Sequence, residues 1–261
     1  MKQLKFQVIA FIICCIVIAF TPVIKTGNIL EQNFKEEEPG GFALLELFTS
    51  QGCSSCPPAD KLLASYAKKN DKNIIALSFH VDYWNRLGWK DPFSNAAFSR
   101  RQRDYAMLTS KGSVYTPQLI INGEREMIGS DEDKVAKAVL NVLKHEPPVK
   151  ILINKLHIEG NQISINYSLN PINKNTTLQA ALVQNEVVTN ILRGENRGVK
   201  LTNYNIVREF KSTPINTSSS SVIFDLSPDI NKEDLSIVLF VQDDASGKIT
   251  GAVKQNIIQI K

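Results

Sequence analysis

A C-x-x-C motif, Cys53-Ser54-Ser55-Cys56, follows directly on an apolar run at residues 42–48. A run of this length is typical of a buried strand, and the Pro57-Pro58 pair that comes next is tolerated in the first turn of a helix. Thiol–disulfide oxidoreductases keep their working cysteines between a strand and a helix, because a helix start offers partial positive charge and free N–H groups to a thiolate.

Zinc sites also use a C-x-x-C pair, but they usually add a second pair of ligands at similar spacing. The chain has four cysteines, and the other two are Cys14 and Cys15. We interpret these two as apolar filler within an apolar run. The sequence therefore favours redox chemistry at Cys53 and Cys56 over a zinc site.

The composition is that of a globular protein, with 43% hydrophobic and 21% charged residues in a chain of 261. This length suffices for one large domain or two ordinary ones. The formal net charge of +4 is small and evenly spread, which argues against a nucleic-acid-binding protein.

Residues 1–24 are predicted to be a targeting segment. Lys2 and Lys5 precede an uncharged apolar run at residues 8–20, as in a secretory signal peptide. Extended to Ile24, the run approaches the length of a membrane anchor, and both interpretations stay open. Residues 25–41 are polar and without periodicity, which indicates a linker. We expect the rest of the chain to work outside the cytoplasm, in the periplasm or cell envelope, where disulfides persist.

Residues 42–146 alternate strand and helix patterns and are predicted to form an α/β domain. Helices are expected over residues 58–70, over 94–107 with Ser94 as N-cap, and from 130 to 144. Strands are expected over residues 43–48, 73–81, 118–121 and 124–128, the last two joined by an Asn122-Gly123 turn.

Glu146-Pro147-Pro148 stops the last helix and marks the predicted domain boundary. Residues 147–261 contain eight short strand patterns separated by turn signals, which indicates an all-β sandwich-like domain without a catalytic constellation. The expected strands are 149–157, 162–169, 177–184, 187–192, 204–210, 221–226, 235–242 and 253–260.

The element order of residues 42–146 is that of the thioredoxin fold. Val114-Tyr115-Thr116-Pro117 stands directly before the predicted hairpin. Thioredoxin-like proteins place a cis-proline at this point, beside the C-x-x-C, where the backbone of the preceding residue pairs with substrate. Proline alone would mean little, since about 5–6% of X-Pro bonds are cis. The predicted fold class is an α/β thioredoxin-like domain followed by an all-β sandwich-like domain.

Six segments of the chain are similar in sequence to a known family. They are LELFTSQGCSSCPPAD at 45–60, HVDYW at 80–84, LGWKDPF at 87–93, VYTPQ at 114–118, RGENRG at 193–198 and NIVR at 205–208. They resemble the secreted bacterial thioredoxin-like proteins grouped as domain of unknown function 1223, from about residue 41 onward. The resemblance implies a thioredoxin-like domain and a β-rich domain in the envelope, and it supplies no substrate. Ser54-Ser55 replaces the Gly-Pro of thioredoxin, so the redox potential does not carry over.

The candidate catalytic residues are Cys53 as nucleophile and Cys56 as resolving thiol. The alternative is a fixed structural disulfide or inert thiols. Thr116 and Pro117 are predicted to bind a substrate strand, and Trp84 to line its path. Aromatic residues at this position also commonly close a core under a long loop.

His80 and Asp82 follow a strand expected beside the C-x-x-C strand, and they are candidates for tuning thiol pKa values. The alternatives are an ordinary strand-end histidine and a solvated turn carboxylate. The RGENRG segment at 193–198 is interpreted as a structural turn, with an anion site as the alternative.

The sequence thus predicts an envelope thiol–disulfide oxidoreductase that needs no cofactor or metal. Its partners would be thiol- or disulfide-containing envelope proteins, with the membrane added if residues 1–24 are retained, and no nucleic acid. Two alternatives stay open. One is a metal-handling protein that binds copper through Cys53, Cys56 and His80. The other is a redox-silent interaction module.

Overall fold

The computed structural model describes residues 40–69, 71–108, 112–227 and 230–257. The predicted targeting segment at 1–24, with Cys14 and Cys15, and most of the predicted linker at 25–41 lie outside the described residues. In the described part, no helix is both long and apolar enough to cross a membrane.

The first half of the chain alternates strands and helices, as its periodicity predicts. Its elements are β1 (Ala43–Thr49), α1 (Pro57–Lys69), β2 (Ile74–His80), a 3-10 turn (Asn85–Leu87), α2 (Ala96–Leu108), β3 (Gln118–Ile121), β4 (Arg125–Ile128) and α3 (Glu132–Val142).

The second half is built of strands. They are β5 (Lys150–Glu159), β6 (Gln162–Asn170), β7 (Thr176–Asn190), β8 (Lys200–Pro214), β9 (Ser219–Asp225), β10 (Leu235–Asp243) and β11 (Ile249–Asn256), with a 3-10 turn (Lys232–Asp234) before β10. The two strands predicted at 177–184 and 187–192 are one continuous strand, β7.

Local signals set two of these elements. Asn122 and Gly123 both have positive φ angles, 49° and 71°, which matches the two-residue hairpin turn that Asn-Gly predicts. Helix α2 begins differently from the prediction: Asn95, not Ser94, accepts the N–H of Ala97 through its side chain. Ser94 instead donates its hydroxyl to the carbonyl of Asp91.

The predicted fold class is wrong in its separation of an α/β thioredoxin-like domain from an all-β sandwich. Eight strands from both halves form one mixed sheet in the order β11-β10-β7-β8-β2-β1-β3-β4. The junction is a parallel contact of β2 with β8, where Ser78 lies opposite Ile206. Strand patterns reveal local conformation but not which strand edges pair, so the continuous sheet was not foreseen. The boundary predicted between Glu146 and Pro147 stays a prediction about independent folding.

The remaining three strands form a small antiparallel sheet in the order β5-β6-β9. Its apolar side chains share a core with alternate residues of the large sheet, among them Leu178 and Leu182 of β7 and Leu239 of β10. The opposite face of β10 points Val238 and Phe240 into a second core. Strand β10 is therefore buried on both faces, as its almost unbroken apolar sequence requires.

Strand β1 is also buried on both faces and supports the C-x-x-C motif. Leu45 and Leu47 pack with α1 and α3, whereas Leu44 and Phe48 face the core that includes Phe98 of α2. The helices thus cover both faces of the sheet, and residues 50–56 emerge where β1 ends.

A buried ionic network ties the halves together on the α2 face. Arg101 of α2 donates to both carboxylate oxygens of Glu46 in β1, at 2.6 and 3.0 Å. It also donates to Gln242 of β10 at 3.1 Å, and its guanidinium carbon lies 4.9 Å from the ring centre of Phe210 in β8. Tyr105 donates its hydroxyl to Glu46 at 2.5 Å. One arginine therefore links α2 to strands from both halves of the chain.

Candidate functional site

The C-x-x-C motif links the end of β1 to the start of α1. The carbonyl of Cys56 accepts the N–H groups of Ala59 and Asp60, at 2.9 and 3.0 Å, so the helix begins at Pro57. The first N–H groups of a helix have no partner within the helix. Prolines, which lack an N–H, therefore fit at these positions without the loss of a hydrogen bond. The motif therefore lies where the sequence predicts it.

Cys53 and Cys56 form a disulfide, with their Cα atoms 5.4 Å apart. Both cysteines are fully buried. Ser54 and Ser55 between them are exposed, so the motif reaches the surface although its sulfurs are covered. A thiolate that reaches either sulfur can open such a disulfide by exchange.

Thr116, one of the predicted substrate-binding residues, lies beside the Cys53 sulfur together with Ser55. Hydroxyl oxygens of Ser55 and Thr116 lie 3.2 and 3.3 Å from it, and the Thr116 carbonyl oxygen lies 4.0 Å away. The indole N–H of Trp84 donates to the Thr116 hydroxyl at 2.8 Å. The peptide bond from Thr116 to Pro117 is cis. The structure thus brings the predicted Cys53, Cys56, Thr116, Pro117 and Trp84 together.

Gln51 organises the buried side of the motif. It lies in the LELFTSQGCSSCPPAD segment, but the sequence assigns it no role. Its backbone N–H donates to Asp91 at 2.8 Å, and its side-chain amide donates to Asn203 of β8 at 2.9 Å. Trp89 donates its indole N–H to the Gln51 amide oxygen at 3.2 Å. Gln51 therefore joins the motif to both the 82–95 loop and the second half of the chain.

His80 and Asp91 form a buried pair beneath this loop, with His80 Nδ1 2.7 Å from Asp91 Oδ2. Burial lowers the pKa of His80, but the carboxylate of Asp91 outweighs it and leaves the His80 pKa raised. Burial raises the pKa of Asp91, yet His80 and two backbone N–H groups bring it below its usual value. Both shifts favour an ion pair. His80 Nε2 is buried and has no hydrogen-bond partner among the described residues.

Asp60 is a further buried carboxyl group, and its sequence position does not reveal its burial. It lies in the first turn of α1 and accepts the hydroxyl of Thr49 at 2.9 Å. Burial raises its pKa to about 6, although the charge of His80 opposes the shift. An acidic residue in a first helical turn is normally an exposed partner of the helix dipole, so no sequence signal points to burial here.

Asp82 is held by α2: its carboxylate accepts the hydroxyl of Ser99 at 2.5 Å, and its N–H donates to the same hydroxyl at 3.1 Å. Its predicted influence on the thiols stays a prediction. Across the described residues, no group of three or more His, Cys, Asp or Glu side chains is placed to hold a metal ion.

The connection between β7 and β8, residues 191–199, reaches the motif from the other half of the chain. Asn196 is buried and donates its amide to the carbonyls of Gln51 and Cys53, at 2.8 and 2.9 Å. Glu195 accepts the backbone N–H of Ser54 at 3.0 Å. Hydrogen bonds from the side chain and the backbone of Ser54 lower the pKa of Glu195, so the carboxylate is ionised at neutral pH. The segment predicted as a turn is thus part of the cystine's surroundings.

Fold and site together define a mostly β protein, built on a mixed eight-stranded sheet, with a cystine between a strand and a helix. The chain belongs to the family described as protein of unknown function (DUF1223), which matches residues 44–242. Comparison with curated proteins gives no match.

Two solved structures share the fold. An X-ray structure of a protein from Agrobacterium tumefaciens is 25% identical, with a TM-score of 0.66, and the alignment covers 86% of this chain and 99% of that one. HBP35 of Porphyromonas gingivalis is 14% identical, with a TM-score of 0.59, over 85% of this chain and 77% of that one. The second similarity concerns the fold alone.

Proposed function

We propose that this chain is a thiol–disulfide oxidoreductase of the cell envelope, with Cys53 and Cys56 as its redox pair. The observation that supports this most directly is the pair of hydroxyl groups, from Ser55 and Thr116, at 3.2 and 3.3 Å from the Cys53 sulfur. A permanent disulfide gains little from hydrogen-bond donors at its sulfur. A thiolate is stabilised by them, because hydrogen bonds to the charged form lower a pKa.

The reaction is a two-step exchange. The Cys53 thiolate attacks one sulfur of a substrate disulfide, a mixed disulfide forms, and the other substrate sulfur leaves as a thiolate. Cys56 then attacks the Cys53 sulfur, which releases the second substrate thiolate and closes the protein disulfide. The substrate gains two electrons and the protein dithiol loses two. In the reverse direction the protein disulfide is the oxidant.

In this proposal Thr116 and Pro117 hold a substrate segment by its backbone, and Trp84 orients Thr116 through its indole N–H. Because both cysteines are buried, groups around the Cys53 sulfur, such as the Ser55 hydroxyl, must move before a substrate can reach it. His80 and Asp82 retain their predicted tuning roles. The proposed partners are envelope proteins with thiols or disulfides, which follows from the targeting segment predicted at residues 1–24.

A redox titration tests the proposal. The folded protein, with Cys14 and Cys15 changed to Ser, is equilibrated in buffers of varied glutathione ratio, quenched with acid and alkylated. We expect a single two-electron transition of the Cys53–Cys56 pair. The Cys56→Ser variant should accumulate a mixed disulfide with glutathione at Cys53.

The matched control is Cys53→Ser, which should trap far less glutathione because the remaining thiol is the resolving one. A disulfide that resists reduction until the protein unfolds would show that the pair is structural, and the proposal would then fall.

A further inference from the structure

The surroundings of the C-x-x-C motif are completed by two adjacent side chains that come far later in the chain. Asn196 donates its amide to the carbonyls of Gln51 and Cys53, and Glu195 accepts the N–H of Ser54. The sequence separations are 141 residues for Glu195 to Ser54 and 143 for Asn196 to Cys53. The second half of the chain therefore fixes the backbone of the motif from outside.

The connection that carries these side chains has a defined shape. Its ends are joined by hydrogen bonds from Ile191 to Val199 and from Gly198 to Ile191, at 2.9 and 2.8 Å. Gly194 has a φ of 78°, and a Cβ atom there would lie 3.1 Å from the Cβ of Trp89. Close packing against the 82–95 loop thus sets where Glu195 lies.

Four of the five residues that follow Cys53 have no backbone N–H free for a thiolate there. The N–H of Cys56 bonds the Cys53 carbonyl at 3.2 Å, and Pro57 and Pro58 have no N–H to offer. Glu195 accepts the N–H of Ser54, so its negative charge lies beside the residue that follows Cys53. A nearby like charge disfavours ionisation of a thiol.

We propose that Glu195 tunes the redox pair: its carboxylate binds the Ser54 N–H and disfavours the Cys53 thiolate, which shifts the couple toward the disulfide. A stabilised thiolate raises the reduction potential of a dithiol–disulfide couple, so Glu195, which disfavours the thiolate, lowers the potential and makes the dithiol the stronger reductant. The inference rests on the proposed function and deepens it by assigning control of the thiol to the β7–β8 connection. Glu195 is itself exposed, as are its neighbours Arg193 and Arg197, so salt screens its charge in part and the expected effect is small. The buried charged groups around the motif are Asp60, His80 and Asp91.

The test compares the Cys53 thiol of the reduced protein with that of the Glu195→Gln variant, which keeps an oxygen acceptor for Ser54 but loses the charge. Both carry Ser at positions 14 and 15. The pH dependence of Cys53 alkylation should show a pKa lower by about half a unit in the variant. At a pH well above the Cys53 pKa, the equilibrium constant with glutathione should shift about threefold toward the dithiol, which is about 14 mV.

The matched control is Glu159→Gln, which makes the same change of net charge at the exposed end of β5. It should leave the Cys53 pKa within about 0.1 unit of wild type, because a distant exposed charge is screened by salt. In about 1 M salt the difference between wild type and Glu195→Gln should shrink, as expected for a charge effect and not for a structural one.

An unchanged or raised Cys53 pKa in Glu195→Gln would overturn the inference. This measurement uses chemically reduced protein, so it decides the role of Glu195 even if the pair fails to exchange with glutathione. Loss of exchange would refute the proposed function alone.

Discussion

Removing Arg101 should destabilise the fold by leaving a buried charge uncompensated. Arg101→Met leaves the Glu46 carboxylate, which is fully buried, without the guanidinium that binds both of its oxygens. Breaking a buried ion pair by removing one partner costs about 3–5 kcal/mol, because the remaining charge has no counterion. Domains of ordinary size are stable by about 5–15 kcal/mol, so this variant should lose a large share of its stability.

The double variant Arg101→Met, Glu46→Leu separates charge from packing. With both charges gone, apolar side chains of similar volume are often neutral or stabilising at such a site. In the double variant the Tyr105 hydroxyl loses its bonds to Arg101 and Glu46, and the Gln242 amide oxygen loses Arg101, while Gln242 keeps its bonds to the Tyr105 hydroxyl at 3.0 Å and to the Gly247 carbonyl at 2.7 Å. Each lost hydrogen bond costs about 0.5–1.5 kcal/mol. We therefore expect the double variant to recover about half of the loss in Arg101→Met.

Equilibrium urea unfolding of the oxidised protein measures these differences, with tryptophan fluorescence as the signal. The control is Lys134→Met, which breaks an exposed pair with Asp131 and should cost no more than about 1 kcal/mol. An Arg101→Met variant as stable as Lys134→Met would refute the assignment of a stabilising role to Arg101. A double variant less stable than Arg101→Met would show that packing, not charge, dominates the loss.

Three further predictions concern the site. Thr116→Val removes a hydroxyl 3.3 Å from the Cys53 sulfur, so the thiol pKa measured by alkylation should rise by about one unit; Thr116→Ser should stay near wild type. Trp84→Phe keeps a ring but removes the N–H that orients Thr116, and a smaller rise is expected; no rise would deny Trp84 this role. The pKa of Asp60 is raised to about 6 in the folded protein. As the pH rises from about 4 to about 6, the unfolded chain loses the Asp60 proton while the folded protein keeps it, so the free energy of unfolding should fall over this range. The urea midpoint of the Asp60→Asn variant should fall less over this pH range than that of the wild type. A pH profile identical to that of the wild type would contradict the role of Asp60.

Local features of the fold were predictable from the sequence. The apolar run before Cys53 forms β1, the proline pair starts α1, and Asn122-Gly123 makes a hairpin. Each depends on neighbours in the chain. The parallel contact of Ser78 with Ile206 does not, and nothing in either strand's composition marks that edge as paired. That one contact turns two expected domains into one sheet.

The candidate site divides in the same way. The position of Thr116 beside Cys53 was predictable because its motif has a recognisable place relative to the cysteines, whereas substrate binding by Thr116 and Trp84 stays a prediction. Gln51, Asn196 and Glu195 were not predictable, since an amide or carboxylate in a loop has no periodicity and its partner is chosen by tertiary structure. The RGENRG sequence indicated a specific local structure, but its glycines fit an ordinary turn equally well, so it did not reveal a contact with the cystine.

The 143-residue separation of Cys53 and Asn196 also sets an order of events during synthesis. Because synthesis starts at the N-terminus, both cysteines are made long before Asn196, whose side chain binds the Cys53 carbonyl in the folded protein. The disulfide needs only a three-residue separation to close, whereas its enclosure needs contacts of long sequence separation, which form slowly. We therefore expect newly made chains to pass through an interval with an accessible cysteine pair. An oxidant present during synthesis would meet this pair before Asn196 binds the Cys53 carbonyl.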